Sequence, residues 1–214
     1  MPPTPATSLP VRVREGTGSH TLVLLHGRGA DENDLFGLFD LLDPERRLRG
    51  ITVGGPLFLP PGGRHWYVVP RVGHPDPATF GASFAQLGRT LDEEVGVDWA
   101  TTVVGGFSQG TVMSYALGLG AGRTAPAGIL ALSGFVPTVD GWTADVASRP
   151  GLPVLIAHGT EDSIISVDFA RRARALLEAG GAAVAYHETP APHAIDPHVL
   201  PVVRRWLAGV TAGA

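Results

Sequence analysis

The chain has 214 residues, of which 44 % are hydrophobic and 17 % are charged, and its formal net charge is −4. It contains no Cys and no Lys, which excludes disulfides, thiolate metal sites, and cysteine or lysine nucleophiles. The acidic balance argues against a nucleic-acid-binding surface. No stretch reaches the roughly 18 apolar residues of a membrane span, and no signal peptide opens the chain. We therefore expect a soluble, cytoplasmic protein.

The predicted elements begin after a Pro-rich segment. Residues 1–10 hold four Pro and predict a flexible N-terminal arm, followed by one domain over residues 11–214. The strand candidates, in chain order, are Val11–Arg14, Thr21–His26, Gly50–Gly54, Thr101–Gly105, Gly128–Leu132, Val154–Ala157 and Ala183–His187. The helix candidates are Asp31–Leu42, Phe80–Val95, Gln109–Leu119, Val167–Ala179 and His198–Leu207.

This alternation predicts an α/β fold. Several strands are apolar along their whole length, as in residues 22–25, which is typical of strands buried on both faces of a mostly parallel sheet. Residues 54–77 lack either periodicity and are rich in Pro and aromatic residues, so we expect a long ordered loop with a binding role.

The strongest motif lies between the strand candidate Thr101–Gly105 and the helix candidate Gln109–Leu119. Residues 106–110 read Gly-Phe-Ser-Gln-Gly, the G-x-S-x-G pattern of a sharp strand-to-helix turn that exposes a nucleophilic serine. The alternative is a glycine-rich turn in which Ser108 only caps the helix. The flanking strand and helix favour Ser108 as the nucleophile.

A serine hydroxyl needs a base, and on folds of this type the acid and the histidine follow the serine along the chain. Asp162 stands in the loop after the strand Val154–Ala157, where α/β sites assemble, and is favoured over Glu161 and Asp168. We therefore predict that Asp162 is the acid of the site.

Four histidines follow Ser108. His193 lies between the last strand and the last helix, which is the position a base requires, whereas His158 and His187 lie at or within strands. His198, at the start of the final helix, is the second choice. The predicted order is Ser108, Asp162, His193.

The first glycine-rich loop, at residues 26–29, follows a buried strand. An ester hydrolase needs two backbone N–H groups that point at the oxyanion, and we assign them to Arg28 and Gln109. The Arg28 side chain is not needed for this role. It either pairs with Asp31 or Glu32 or contacts an acidic group of a substrate.

Aromatic residues predict the wall of the substrate pocket. Trp66 and Tyr67 in the long loop, with Phe107 and Phe135, are the candidates for contact with the acyl group. The alternative is that some of them only pin the loop to the core.

These motifs together resemble the phospholipase/carboxylesterase family of α/β-hydrolases, which includes acyl-protein thioesterases and small bacterial carboxylesterases. The resemblance covers about residues 11–208 and rests on His-Gly-Arg-Gly-Ala-Asp-Glu-Asn-Asp-Leu at 26–35, the Ser108 turn, His-Gly-x-x-Asp at 158–162 and His-Ala-Ile at 193–195. It implies an α/β-hydrolase fold with about seven strands, helices on both faces and no large cap domain. It also implies ester or thioester hydrolysis without a cofactor or metal.

The family likeness has two departures. Where the family often has an acid in the pocket loop, residues 64–69 read Arg-His-Trp-Tyr-Val-Val, and the segment before His193 is Pro-Ala-Pro rather than Gly-rich. Both departures concern substrate identity rather than the chemistry.

We therefore expect a serine carboxylesterase that acts on short- to medium-chain esters of small molecules, with thioesters and lysophospholipids as further candidates. The alternatives are a non-catalytic binding protein on a hydrolase scaffold, and a lactonase or perhydrolase on the same fold. An apolar groove around Trp66 could serve as a substrate site or as a homodimer contact.

Overall fold

A computed structural model describes residues 8–212 of the chain. Its strands are β1 (Val11–Arg14), β2 (Thr21–Leu25), β3 (Arg49–Val53), β4 (Leu57–Phe58), β5 (Arg64–His65), β6 (Thr102–Phe107), β7 (Gly128–Leu132), β8 (Pro153–Gly159) and β9 (Ala183–Thr189). Its α-helices are α1 (Leu38–Leu42), α2 (Pro77–Arg89), α3 (Gln109–Leu119), α4 (Val167–Ala179) and α5 (Leu200–Thr211).

The main sheet has seven strands in the order β1-β3-β2-β6-β7-β8-β9. Only the edge strand β1 runs antiparallel to its neighbour, and the other pairs in this sheet are parallel. This confirms the mostly parallel sheet that the all-apolar strands predict.

The sheet is buried on both faces because alternate side chains enter two separate cores. Val23 and Leu25 of β2 point into one core, and Leu22 and Leu24 point into the other. Residues of α2, α3 and α4 line the first core, whereas residues of α1 and α5 line the second. The expected helices on both faces are therefore present.

The starts of α1 and α2 differ from the predictions for physical reasons, and α5 spans Leu200–Thr211 instead of His198–Leu207. The predicted helix over residues 31–42 is α-helical only from Leu38, because the Asp31 carboxylate accepts from the N–H of Asn33 and favours turns before it. Helix α2 begins at Pro77, earlier than Phe80, because Asp76 caps it by accepting from the N–H of Thr79. After Arg89 the α-helix continues as a π-helix over Thr90–Glu94.

The long loop at 54–77 is ordered and contains the small antiparallel hairpin of β4 and β5. Most of the predicted N-terminal arm lies outside the described residues. At its described end, Leu9 is buried in the core, and the carbonyl of Pro10 accepts from the N–H of Gly54.

Candidate active site

Ser108 stands at the sharp turn between β6 and α3. Its backbone has φ 56° and ψ −119°, a left-handed conformation that is rare for a residue with a side chain. A Cβ at Gly110 would overlap the Leu25 carbonyl oxygen, and one at Gly106 would collide with both Leu25 and Gly110. The two motif glycines are therefore required by the close approach of β2, and the turn holds the Ser108 hydroxyl at the carboxyl end of the sheet.

His193 links Ser108 to Asp162. Its Nε2 lies 3.0 Å from the Ser108 Oγ, and its Nδ1 lies 2.6 Å from the Asp162 Oδ2. Since an ionised carboxylate only accepts, Nδ1 carries the proton and Nε2 is free to accept from the hydroxyl. The structure thus brings together the three residues that the sequence predicts as nucleophile, base and acid.

The loop after β8 fixes the Asp162 carboxylate. Its Oδ1 accepts from the N–H groups of Ile164, at 2.9 Å, and Ile165, at 2.7 Å. Burial of the carboxylate opposes ionisation, but the hydrogen bonds from His193, Ile165 and Ile164 outweigh it and lower the pKa of Asp162. The carboxylate therefore stays charged beside the imidazole.

His158 supports the same carboxylate from the other side. Its fully buried Nε2 lies 2.7 Å from the Ile165 carbonyl oxygen and 3.3 Å from the Asp162 Oδ2. The carbonyl fixes the tautomer with the proton on Nε2, so this N–H also faces the carboxylate. His158 acts as a structural residue, as its place at the end of the strand predicts.

The loop at residues 26–29 presents a free backbone N–H. Across residues 8–212, neither the N–H of Arg28 nor that of Gln109 has a hydrogen-bond acceptor. His26 shapes this loop, because its Nδ1 donates to the Gly27 carbonyl, at 2.7 Å, and its Nε2 accepts from the N–H of Gly55, at 2.9 Å. Burial lowers the pKa of His26, which keeps the ring neutral for this double role.

The Gln109 side chain ties the nucleophile turn to the long loop. Its Oε1 accepts from the N–H of Trp66 and its Nε2 donates to the Tyr67 carbonyl, both at 3.0 Å. Nothing in the linear pattern signals this bridge, because the partners are main-chain groups more than forty positions away.

A groove of about 410 Å³ opens beside Ser108. Both apolar and polar residues line it, namely Arg28, His65, Tyr67, Val68, Val69, Val72, Ser108, Gln109, Phe135, Ile164 and Ile165. Of the predicted aromatic wall, Tyr67 and Phe135 do line the groove, although each exposes little surface.

The other two predicted aromatic residues, Trp66 and Phe107, do not line this groove. Trp66 is fully buried, and its indole N–H donates to the His26 carbonyl at 2.8 Å, so it pins the long loop instead of contacting a substrate. Phe107 packs its ring 4.8 Å from that of His193 and is half-buried.

Aliphatic residues form most of the exposed wall, and no sequence motif predicts them. Val68, Val69, Val72 and Ile164 are all more than a third exposed, and Ile164 reaches 58 %. Val and Ile residues in loops belong to no functional motif, so only their position next to Ser108 in the fold identifies them as part of the groove.

The Arg28 side chain differs from the expected ion pair. No acidic partner lies within reach of its guanidinium among the described residues. The Asp31 Oδ1 accepts from the N–H of Asn33 at 2.8 Å, and the Glu32 Oε1 accepts from the side-chain amide of Asn33 at 3.5 Å.

No helix in residues 8–212 is long and apolar enough to cross a membrane.

Comparison with known proteins gives consistent matches over nearly the whole chain. The family model described as Phospholipase/Carboxylesterase matches residues 9–210. Acyl-protein thioesterase 1 of Yarrowia lipolytica is 29 % identical over 193 residues, covering 81 % of this chain and 82 % of that protein.

Solved structures agree in architecture. The Bacillus cereus carboxylesterase superposes with a TM-score of 0.83 at 25 % identity, over 95 % of each chain. The Mesorhizobium loti carboxylesterase gives a TM-score of 0.81 at 23 % identity, over 94 % of this chain and 95 % of that one, a likeness of fold.

Proposed function

The chain belongs to the phospholipase/carboxylesterase family and is a carboxylic ester hydrolase with an α/β-hydrolase fold, and from this premise we propose that it hydrolyses short- to medium-chain carboxylic esters through Ser108, His193 and Asp162. The observation that carries the proposal is the position of His193. Its two ring nitrogens lie within hydrogen-bond distance of the Ser108 hydroxyl and of the Asp162 carboxylate at the same time.

In the first half of the reaction, the Ser108 Oγ attacks the ester carbonyl while its proton passes to Nε2 of His193. Asp162 accepts from Nδ1, so it holds the imidazole in the required tautomer and stabilises the imidazolium. The carbonyl oxygen becomes an oxyanion, which the free N–H groups of Arg28 and Gln109 are available to bind.

Collapse of this tetrahedral intermediate breaks the bond to the alcohol, which takes the proton from His193 as it leaves. The acyl group then remains on the Ser108 Oγ as an ester. A water molecule gives its proton to Nε2 and attacks the acyl carbonyl, and the second collapse releases the carboxylic acid and restores the serine hydroxyl.

The groove supports substrates of limited length. Its volume of about 410 Å³ and its aliphatic wall suit a short to medium acyl chain. A thioester is the second candidate substrate class, because the relative from Yarrowia lipolytica is an acyl-protein thioesterase.

The proposal is tested by treating the purified protein with a fluorophosphonate and locating the adduct by peptide mass spectrometry. We expect stoichiometric labelling of Ser108, and none in Ser108→Ala. Ser148→Ala removes an exposed serine that lies outside the groove and should label like the parent protein. Hydrolysis of p-nitrophenyl esters from acetate to laurate, alongside matched thioesters, then ranks the substrates.

A folded protein that neither labels at Ser108 nor hydrolyses any of these esters would overturn the proposal. That result would favour a binding protein on a hydrolase scaffold. Labelling at Ser108 with hydrolysis of lactones alone would instead assign a lactonase.

A further inference from the structure

The groove beside Ser108 differs in its charged residues from the protein as a whole, which is acidic. The chain has 20 acidic and 16 basic residues, yet no carboxylate is among the described residues that line the groove. Arg28 lines it and is the one Arg or Lys among those described lining residues. A substrate that approaches Ser108 therefore meets a cation without a counterion.

Arg28 differs in this respect from arginines with structural roles. Arg14 binds Asp43 at 2.6 Å, and Arg171 binds Glu188 at 2.8 Å. The guanidinium of Arg28 has no hydrogen bond or ion pair to any residue between 8 and 212, even though acids follow it at positions 31, 32 and 34. Those acids leave the five N–H donors of Arg28 available to a ligand.

The place of Arg28 in the chain ties this cation to the reacting centre. Its own backbone N–H is one of the two proposed oxyanion donors, so its side chain starts beside the scissile bond. The aliphatic wall of Val68, Val69 and Ile164 bounds the same groove, and Arg28 itself is exposed to solvent. A planar guanidinium can bind a carboxylate or phosphate through two parallel hydrogen bonds.

We propose that Arg28 determines specificity by binding an anionic group, a carboxylate or a phosphate, on the substrate. The preferred substrates are thus esters that carry a negative charge near the scissile bond, such as half-esters of dicarboxylic acids or phosphate-bearing esters. This inference rests on the proposed esterase function and assigns the substrate class of the same site.

The test compares esters of equal chain length. The p-nitrophenyl half-ester of adipate carries a carboxylate, p-nitrophenyl hexanoate is its neutral match, and the p-nitrophenyl ester of ω-phosphooxyhexanoate carries a phosphate. The variants are Arg28→Met, which removes the charge, and Arg28→Lys, which keeps the charge without the planar fork. Arg71→Met is the control, because it removes an exposed positive charge that does not line the groove.

The measured quantity is the ratio of kcat/KM for an anionic ester to that for the neutral ester. Any disturbance of the oxyanion hole by the variant acts on both esters, so the ratio isolates the anion site. We expect the parent protein to favour at least one anionic ester, and Arg28→Met to lower that ratio on the order of 10- to 100-fold. Arg28→Lys should retain part of the preference, and Arg71→Met should leave it near the parent value.

The kinetic substrates carry the charge on the acyl side of the ester, so a binding measurement is added to detect a site for a charge on the alcohol side. This measurement does not depend on catalysis. Calorimetry of Ser108→Ala protein with free adipate and with inorganic phosphate should detect binding that Arg28→Met abolishes. Binding of adipate indicates a site for a carboxylate, and binding of inorganic phosphate indicates a site for a phosphate. The inference is overturned if Arg28→Met changes neither the ratio nor this binding more than Arg71→Met does.

Failure of the esterase proposal looks different. In that case the neutral ester is not hydrolysed and Ser108 is not labelled, whatever residue stands at position 28.

Discussion

The floor of the active-site groove and its rim are built in opposite ways. On the floor, each proposed catalytic side chain is mostly buried and forms hydrogen bonds within the protein, as Asp162 does with His193, Ile164 and Ile165. On the rim, Val69 and Ile164 expose apolar surface, and the Arg28 guanidinium has no partner among residues 8–212. The difference indicates that the chemistry depends on prearranged polar contacts, whereas the choice of substrate depends on side chains that can change at little cost to the fold.

The largest expected effect is on the floor, at Asp162. In Asp162→Asn, Oδ1 can still accept from the loop N–H groups, but an amide N–H replaces the acceptor that faces His193. The imidazole then takes the wrong tautomer, and we expect kcat to fall by about 10⁴-fold. Steady-state hydrolysis of p-nitrophenyl butyrate measures the loss.

Thermal unfolding provides the control for that variant, since a misfolded protein would also be inactive. A folded Asp162→Asn protein that keeps more than a tenth of the parent kcat would contradict the assigned role of Asp162.

A smaller effect is expected at His158, the fully buried residue that contacts Asp162. In His158→Phe the Ile165 carbonyl and the Asp162 carboxylate both lose a donor. We expect kcat to fall on the order of 10- to 100-fold, because a small displacement of Asp162 misaligns His193. The side-chain amide of Gln can donate from a position similar to Nε2, so His158→Gln should recover most of the activity.

Equal losses in the Phe and Gln variants would show that the hydrogen bond at Nε2 does not matter. Comparison of kcat at several pH values would then separate a packing defect from a misplaced acid.

Gln109 joins floor and rim, and its replacement should affect stability more than chemistry. Gln109→Ala keeps the backbone N–H of residue 109 but leaves the N–H of Trp66 without a partner and removes one of the two side chains at the Tyr67 carbonyl, the other being His65, whose Nδ1 lies 3.2 Å away. We expect the free energy of unfolding to fall by about 1–3 kcal/mol and KM to rise several-fold. Urea denaturation and ester kinetics measure the two effects.

Gln109→Met is the matched variant, because it keeps the bulk of the side chain and loses both hydrogen bonds. If Met restores the stability, the Ala effect comes from a cavity and the bridge itself contributes little.

The smallest effect is expected on the rim. Ile164→Ala removes exposed apolar surface, so kcat/KM for p-nitrophenyl octanoate should fall about three- to tenfold while acetate hydrolysis stays unchanged. Leu41→Ala is the control, because Leu41 is 54 % exposed on α1 and does not line the groove. Equal effects on both ester lengths would contradict a role for Ile164 in binding the acyl chain.

The same division explains what could be predicted from the sequence. Ser108 was identifiable because its turn demands glycine at positions 106 and 110, and strand β7 was predicted at its observed bounds, Gly128–Leu132, because it is apolar throughout. His193 and Asp162 followed from their order in the chain, although their mutual geometry needed the fold.

The prediction for Trp66 failed, whereas Tyr67 and Phe135 do line the groove, because size and aromaticity do not reveal exposure. Trp66 is a large aromatic residue of the kind that lines pockets. Its indole N–H instead donates to the carbonyl of His26, forty residues away, inside the core. For Arg28 the sequence allows either an ion pair with Asp31 or Glu32 or a contact with a substrate, and only the fold shows that Arg28 has no ion pair among the described residues.

The order of the strands has a consequence for how the molecule gains activity as it folds. From β6 to β9 the sheet adds strands in chain order, and the elements between Ser108 and His193 span 85 positions. Pairing of distant parallel strands is slow because the intervening chain must first be ordered. A nascent chain that has docked β6, β7 and β8 still lacks its base until β9 is added and the following loop settles. Enzyme activity should therefore return last during refolding, after most of the helical and sheet signal has been regained.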